Sequence, residues 1–355
     1  MTSLPPPRYC SVAEYQVCEE EAEAIIRTTT YHRNELPRSV IWFSPRHHTS
    51  IHSSIATPFP RAPQVGLGAL GRLPLELLYE VLLCLDMRSI FKLRQTNLRS
   101  RQVVDSLRQY HLVVSHGLNL LCALLRTRLA IDVSLSDFFY ALCTKACRFC
   151  GEFGGFISLL TWDRSCFRCL QVAPETQVQT LSAARKQFHL SKVQLGQLRS
   201  FKTLPGRYTP EESTYKSHVT VVSAYQALLL SGQQPNSQTR AQLVNWGRQN
   251  PRFNFMGSCA LPYYDGRTRR VEHGMSCGGC QLAVERDIYD STVQLPDSEW
   301  TLAVRNKVYT QDGFLEHFRW CKLAQLLWIL SDQGNRQPPE LPEVVRVKGY
   351  FGNRE

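Results

Sequence analysis

The sequence predicts a mainly α protein, with a three-helix unit in its N-terminal half and an irregular helical domain behind it, stapled by two Cys/His clusters. Three observations carry that reading. Apolar residues recur at helical spacing from Leu73 to Leu107. Leucine and phenylalanine stripes of the same period continue to about residue 144. Thirteen cysteines are present, and several stand in C-x-x-C pairs.

Composition sets the bounds. Hydrophobic residues make up 43% of 355, which fits a globular chain with a sizeable core. The net charge of +11 permits an acidic or nucleic-acid partner without requiring one. The densest basic knot, Arg267, Arg269 and Arg270, is short and reads as solvated surface. The start, MTSLPPPRYC, shows no secretory signal, and no apolar run approaches a membrane span. A soluble intracellular protein, cytoplasmic or nuclear, is expected, with no membrane partner. In that compartment thirteen cysteines point to metal and not to disulfides.

Residues 1–66 are poorly periodic and rich in Pro, Ser, Thr and His, which predicts a poorly ordered extension. Glu19, Glu20, Glu21 and Glu23 sit in a possible solvated helix, Val12 to Arg27. His47, His48 and His52 are loosely spaced, have no Cys nearby and read as loop. Gly66, Gly68 and Gly71 spell G-x-G-x-x-G. A dinucleotide site needs a strand before that phrase and a βαβ unit around it. Here Pro58, Pro60 and Pro63 precede it and Pro74 follows, so a hinge is expected.

The stretch from Leu73 to Leu107 reads as three short helices. Leu77, Leu78, Val81, Leu82 and Leu85 share one face, and Pro74 suits a first helical turn. Asp86 is placed to cap a second helix carrying Ile90, Phe91 and Leu93. Asn97 is placed to cap a third, carrying Val103, Val104 and Leu107. Three stripes on so few residues exceed what a small bundle can hide, so part of this surface should meet a partner or the rest of the chain. The order resembles the F-box: a Leu-Pro pair, Glu76, paired leucines, an apolar-Asp turn, Ser89 and an Arg-rich third helix. The unit spans residues 67–110. Residues 111–146 form a helical linker with two stripes, Leu120, Leu121, Leu124, Leu125 and Leu129, then Leu135, Phe138, Phe139 and Leu142.

Cys147, Cys150, Cys166 and Cys169 make C-x2-C-x15-C-x2-C within a knuckle region over 147–210. A C-x-x-C turn aims two thiolates at one point, and two such turns close a tetrahedron around zinc. Gly151, Gly154 and Gly155 supply permissive backbone, and Phe153, Phe156, Leu159 and Trp162 can cover the metal. Four protein ligands leave no open position, so the site is structural. Cys143 is a spare. Beyond it, AARKQFHLSKVQLGQLRSF reads as a helix and a second one capped by Ser191.

Residues 211–332 are expected to form a helical domain with a second zinc site, and 333–355 a tail. Cys277 and Cys280 stand in SCGGC; His317 and Cys321 stand four apart in a helical stretch with Asp312 as its cap. The thirty-six residues between these pairs should hold real structure, including a helix around Trp300 to Arg305. Cys259 and His273 are the competing ligands.

Together these phrases resemble a family of filamentous-fungal F-box proteins. The shared phrases are CRFCGEFGG (147–155), CFRCL (166–170), SCGGC (276–280) and FLEHFRWC (314–321). The resemblance implies a substrate adaptor of a Skp–cullin–F-box ubiquitin ligase. Leu73, Pro74, Leu77, Leu78, Ile90 and Leu93 would bind the Skp adaptor protein. A region held by two structural zinc ions would hold an unknown client protein. The alternative is a zinc-dependent nucleic-acid binder, favoured by the charge and by the basic stretch from Arg185 to Lys202. No recognition-finger spacing or RNA-binding aromatic motif supports it. An enzyme is not expected, since H-E-x-x-H, G-x-S-x-G and P-loop phrases are missing. The interleaved eight-ligand spacing of a RING ligase is missing too.

Overall fold

Side-chain caps and one-sided apolar faces set the helices of the N-terminal half. The computed structural model describes residues 9–44, 63–208, 213–289 and 306–346, with 46, 49, 54, 55, 57, 61, 303 and 304 between them. His47, His48 and His52 lie outside the described residues. So do Pro58, Pro60, Trp300 and Arg305. Ala303 and Val304 are helical, within the stretch where a helix is expected.

Helix α1 (Glu19–Thr29) opens the described chain and runs into strand β1 (Thr30–Tyr31). After the hinge come α2 (Leu75–Cys84), α3 (Met87–Arg94) and α4 (Leu98–Ser106). The expected caps are present. Asp86 accepts from the Ser89 amide at 2.9 Å, and Asn97 accepts from the Ser100 amide at 2.8 Å. Pro74 stands at the N-cap of α2, one residue before the first helical turn. Arg94 on α3 and Asp105 on α4 form a buried ion pair at 2.6 Å. The hinge itself holds a 3-10 helix, with Gly68 at φ +60.

Helix α5 (Arg108–Thr127) kinks at Gly117, where a Cβ would meet the Phe138 ring at 2.8 Å. That close approach lets α6 (Leu135–Leu142) lie against it. Leu78, Leu82, Met87, Ile90, Val103 and Val104 join Leu120, Leu124, Leu135 and Phe138 in one core. The three-helix unit is therefore continuous with the helices behind it, through the Met87 amide on the Val133 carbonyl and the Leu135 amide on the Leu85 carbonyl.

Past residue 147 the mainly α expectation is only approximate. The described residues hold five sheets of two or three strands. β2 (Phe156–Ser158) lies between β3 (Arg164–Ser165) and β7 (Ser258–Ala260). β6 (Thr220–Ser223) lies between β4 (Val178–Thr180) and β5 (Ser200–Lys202), covered by α8 (Leu181–Phe188) and α10 (Ala224–Leu230). Between α8 and β5 stands α9 (Lys192–Gln197), with the expected Ser191 capping box. Strands of two to four residues are too short to show a period of two.

Residues 9–44 depart most from the expectation. From residue 9 the chain is ordered and woven into the far end of the molecule. β1 pairs antiparallel with β8 (Ser276–Cys277). The Lys322 amide donates to the Tyr9 carbonyl, and the Ser11 amide to the Trp320 carbonyl. Ile41 then donates to the Ser258 carbonyl, and Ile55 is buried in the core of the three-helix unit. After α11 (Ser237–Gln249) come α12 (Gly278–Tyr289), α13 (Gln311–Phe318) and α14 (Lys322–Leu330). The tail packs as well, with Val344 buried and the Glu343 amide donating to Glu285.

Candidate metal centres and docking surface

Two groups of four side chains bring their ligand atoms within 4.8 Å of one another: Cys147, Cys150, Cys166 and Cys169, and Cys277, Cys280, His317 and Cys321. These are the eight residues expected from spacing.

The first group is built by a knuckle and a hairpin. The Gly151 amide donates to the Cys147 carbonyl, with Gly151 at φ +79, a turn that an L side chain resists. Gly154 is needed for a different reason: a Cβ there would meet the Cys147 backbone nitrogen at 3.2 Å. The β2–β3 hairpin then returns the chain so that Cys166 stands at the N-cap of α7 (Phe167–Val172) and accepts from the Cys169 amide. Arg164 locks this arrangement. It is buried, and its guanidinium donates to the carbonyls of Gly154, Ala141, Leu261 and Pro262. Burial pulls its pKa down to about 10.

The second group draws on four elements. Cys277 and Cys280 come from β8 and the start of α12. His317 lies on α13, and its ring stacks on Tyr309 at 4.7 Å between centroids. Cys321 is not on the same helix. One continuous helix capped by Asp312 was expected, but Thr310 caps α13, which ends at Phe318, and Cys321 is the N-cap of α14. The break arises because Trp320, Cys321 and Lys322 pair with residues 9–11, a partner that helical periodicity cannot reveal.

Spacing within both groups suits one ion. Cys150 and Cys166 sulfurs are 3.7 Å apart, Cys277 and Cys321 3.8 Å, and Cys280 and Cys321 3.9 Å; Cys280 is 3.3 Å from His317 Nε2. Metal–thiolate bonds of about 2.3 Å at tetrahedral angles give such separations. The protonation balance agrees. Hydrogen bonds from Cys166 and Cys169 hold the Cys147 thiol well below its ordinary range, and its partners are pushed up. Likewise Cys277 and Cys280 stabilise a Cys321 thiolate, while burial raises Cys277 and the bond with Cys277 raises Cys280. Further negative charges at these separations need a cation among them. Soft thiolate and imidazole donors suit zinc and exclude an oxygen-seeking ion such as magnesium or calcium.

The competing ligands stand elsewhere. Cys259 is fully buried and engaged by the Asn119 amide and the Ile41 carbonyl, and burial pushes its thiol up to about 12. Cys143 caps the end of α6. His273 lines a cavity of about 390 Å³ with His32, Phe153 and Phe156, apart from both groups.

The residues expected to dock a partner divide by burial. Leu73, Pro74 and Leu77 are exposed, Leu77 by 54%. Leu78 and Ile90 are buried in the chain's own core, and half-buried Leu93 packs against it. They are supports and not a free surface. In their place the structure exposes Leu75 and Val81 beside Leu77. The sequence held the signal. LLYEVLL contains two i,i+4 pairs, Leu77 with Val81 and Leu78 with Leu82, a helical step apart. One pair turns inward and the other outward.

Residues 70–112 match a family model described as the F-box domain. That match supports an F-box protein. At family level it supports an adaptor of a Skp–cullin ligase. No curated protein and no solved structure matches the chain. Among the described residues no helix is long and apolar enough to cross a membrane.

Proposed function

We propose that this chain is the client-recognition adaptor of a Skp–cullin ubiquitin ligase. The F-box engages the Skp protein, and the region beyond residue 147 presents the client. One observation carries the reading: within the matched F-box, the apolar side chains of Leu77 and Val81, one turn apart on α2, are exposed, as are Leu73 and Leu75 at its start. Such a surface is the physical mark of a docking face.

Each four-ligand group would hold a structural zinc ion, with no position open to substrate. In this reading the chain does no covalent chemistry. It raises the effective concentration of client lysines near a charged ubiquitin-conjugating enzyme, which is catalysis by proximity. Residues 9–44 support that role by joining the core of the second Cys/His group through Ile25 and that of the F-box through Leu36, Val40 and Ile41, which fixes the distance between the two ends.

Co-purification of the Skp protein with Leu77→Asp is the test. The side chain is exposed, so unfolding should shift by no more than about 0.5 kcal/mol, whereas Skp capture should be lost. Undiminished capture would remove the adaptor reading.

A further inference from the structure

The corner between α8 and α9 carries chemistry that neither the metal groups nor the F-box uses. A broad depression of about 610 Å³ opens there, lined by Arg185, Lys186 and His189 beside Leu181, Leu190 and Leu195. The helix dipole favours cations in the last turn of α8, which accounts in part for Arg185 and Lys186. It does not account for His189. That residue terminates α8 at φ 51 and ψ 38, a left-handed conformation in which glycine is unstrained and other residues are disfavoured. The turn leaves an exposed imidazole beside the two cations.

The surroundings are one-sided. No acidic residue occurs between Glu175 and Glu211, while six Lys or Arg do: Arg185, Lys186, Lys192, Arg199, Lys202 and Arg207. Arg199 is paired with Asp132. Among the described residues Arg185, Lys186 and Lys192 have no carboxylate partner. The half-buried Leu181 and Leu195 give the depression an apolar floor. No Phe, Tyr or Trp ring lines it, although broad stacking platforms are what a single nucleic-acid strand requires.

We infer that this corner docks an acidic, amphipathic peptide segment of the client, with carboxylates meeting Arg185, Lys186 and His189 and an apolar side chain settling on Leu181 and Leu195. The inference rests on the adaptor reading above. It deepens that reading by naming the chemistry of the bound segment.

The test uses the full chain and a short fluorescent peptide built of Asp, Glu, Leu and Phe. Its Asn/Gln analogue is the neutral control, and duplex DNA is the competitor. The acidic peptide should bind about tenfold tighter than the analogue, and more weakly as salt rises. Arg185→Gln with Lys186→Gln should lose about tenfold of that affinity. His189→Asn, which tolerates the left-handed backbone, should lose part of it with thermal unfolding unchanged; if the double variant is misfolded, this one decides. Equal binding of the two peptides would overturn the inference, as would full affinity in the folded variants. Displacement of the peptide by DNA at lower concentration than by unlabelled peptide would also overturn it, in favour of a nucleic-acid face. Skp capture is measured on the same samples. Its survival in the corner variants and its loss in Leu77→Asp keep failure of this inference separate from failure of the adaptor reading.

Discussion

At the scale of single residues, spacing exposed the donors but not the backbone that holds them. All eight expected ligands converge; each C-x-x-C phrase encodes a local turn, whereas His317 and Cys321 meet across a helix break. The glycines of SCGGC do something that spacing cannot show. A Cβ on Gly279 would lie 2.2 Å from the Ala324 nitrogen, so this residue sets how closely α12 lies on α14. Gly279→Ala forces the helices apart at the point where Cys280 and Cys321 must meet. Overpacking of this kind costs about 1–3 kcal/mol, and displaced ligands add to it. The expected result is loss of one metal equivalent per chain with the first group still loaded, read by elemental mass spectrometry. Full loading of both groups would mean that α14 can shift without separating the sulfurs.

At the scale of elements, apolar pattern located most helices of the N-terminal half and assigned their faces less well. In α2 two adjacent stripes merged into one reading, so inward Leu78 was grouped with outward Leu77. Stability separates them. Ile90→Ala, in the buried core of α3, should cost about 2–5 kcal/mol in urea unfolding. Leu77→Ala should change it by no more than about 0.5 kcal/mol. The α13–α14 break supplies a second contrast. His317→Ala removes the Nε2 donor 3.3 Å from Cys280. A structural zinc contributes on the order of 10–16 kcal/mol of apparent free energy, comparable to the net stability of a domain. One metal equivalent and the protease resistance of Phe314 to Leu330 should both be lost, while Skp capture persists. Retained metal in this variant would show that three thiols suffice.

At the scale of the whole molecule, the part least legible in the sequence is the path of residues 9–44. Its strand pairings, of Cys10, Thr30, Tyr31 and Ile41, are made one or two at a time with partners more than 200 residues away, and nothing local encodes them. Ile25 shows what they achieve. It is fully buried among Phe314, Phe318, Ala324 and Trp328, and Cys277 and Cys321 belong to the same cluster. Trp328 donates its indole N–H to Tyr15 at 3.0 Å, which closes the cluster from the other side. The N-terminal segment thus adds Tyr15, Val17, Ala24, Ile25 and Ile26 to the core around the second group, and metal and segment should hold it jointly. Ile25→Asp places a carboxylate in that core with no partner, at a cost of several kcal/mol. Hydrogen exchange should accelerate together in α1, β8, α12 and α14, whereas α2 to α4 keep their protection. Selective removal of the metal by a chelator should give the same pattern in the unaltered chain. A chelated chain that loosens α12 and α14 but leaves α1 protected would show that the segment docks without help from the metal.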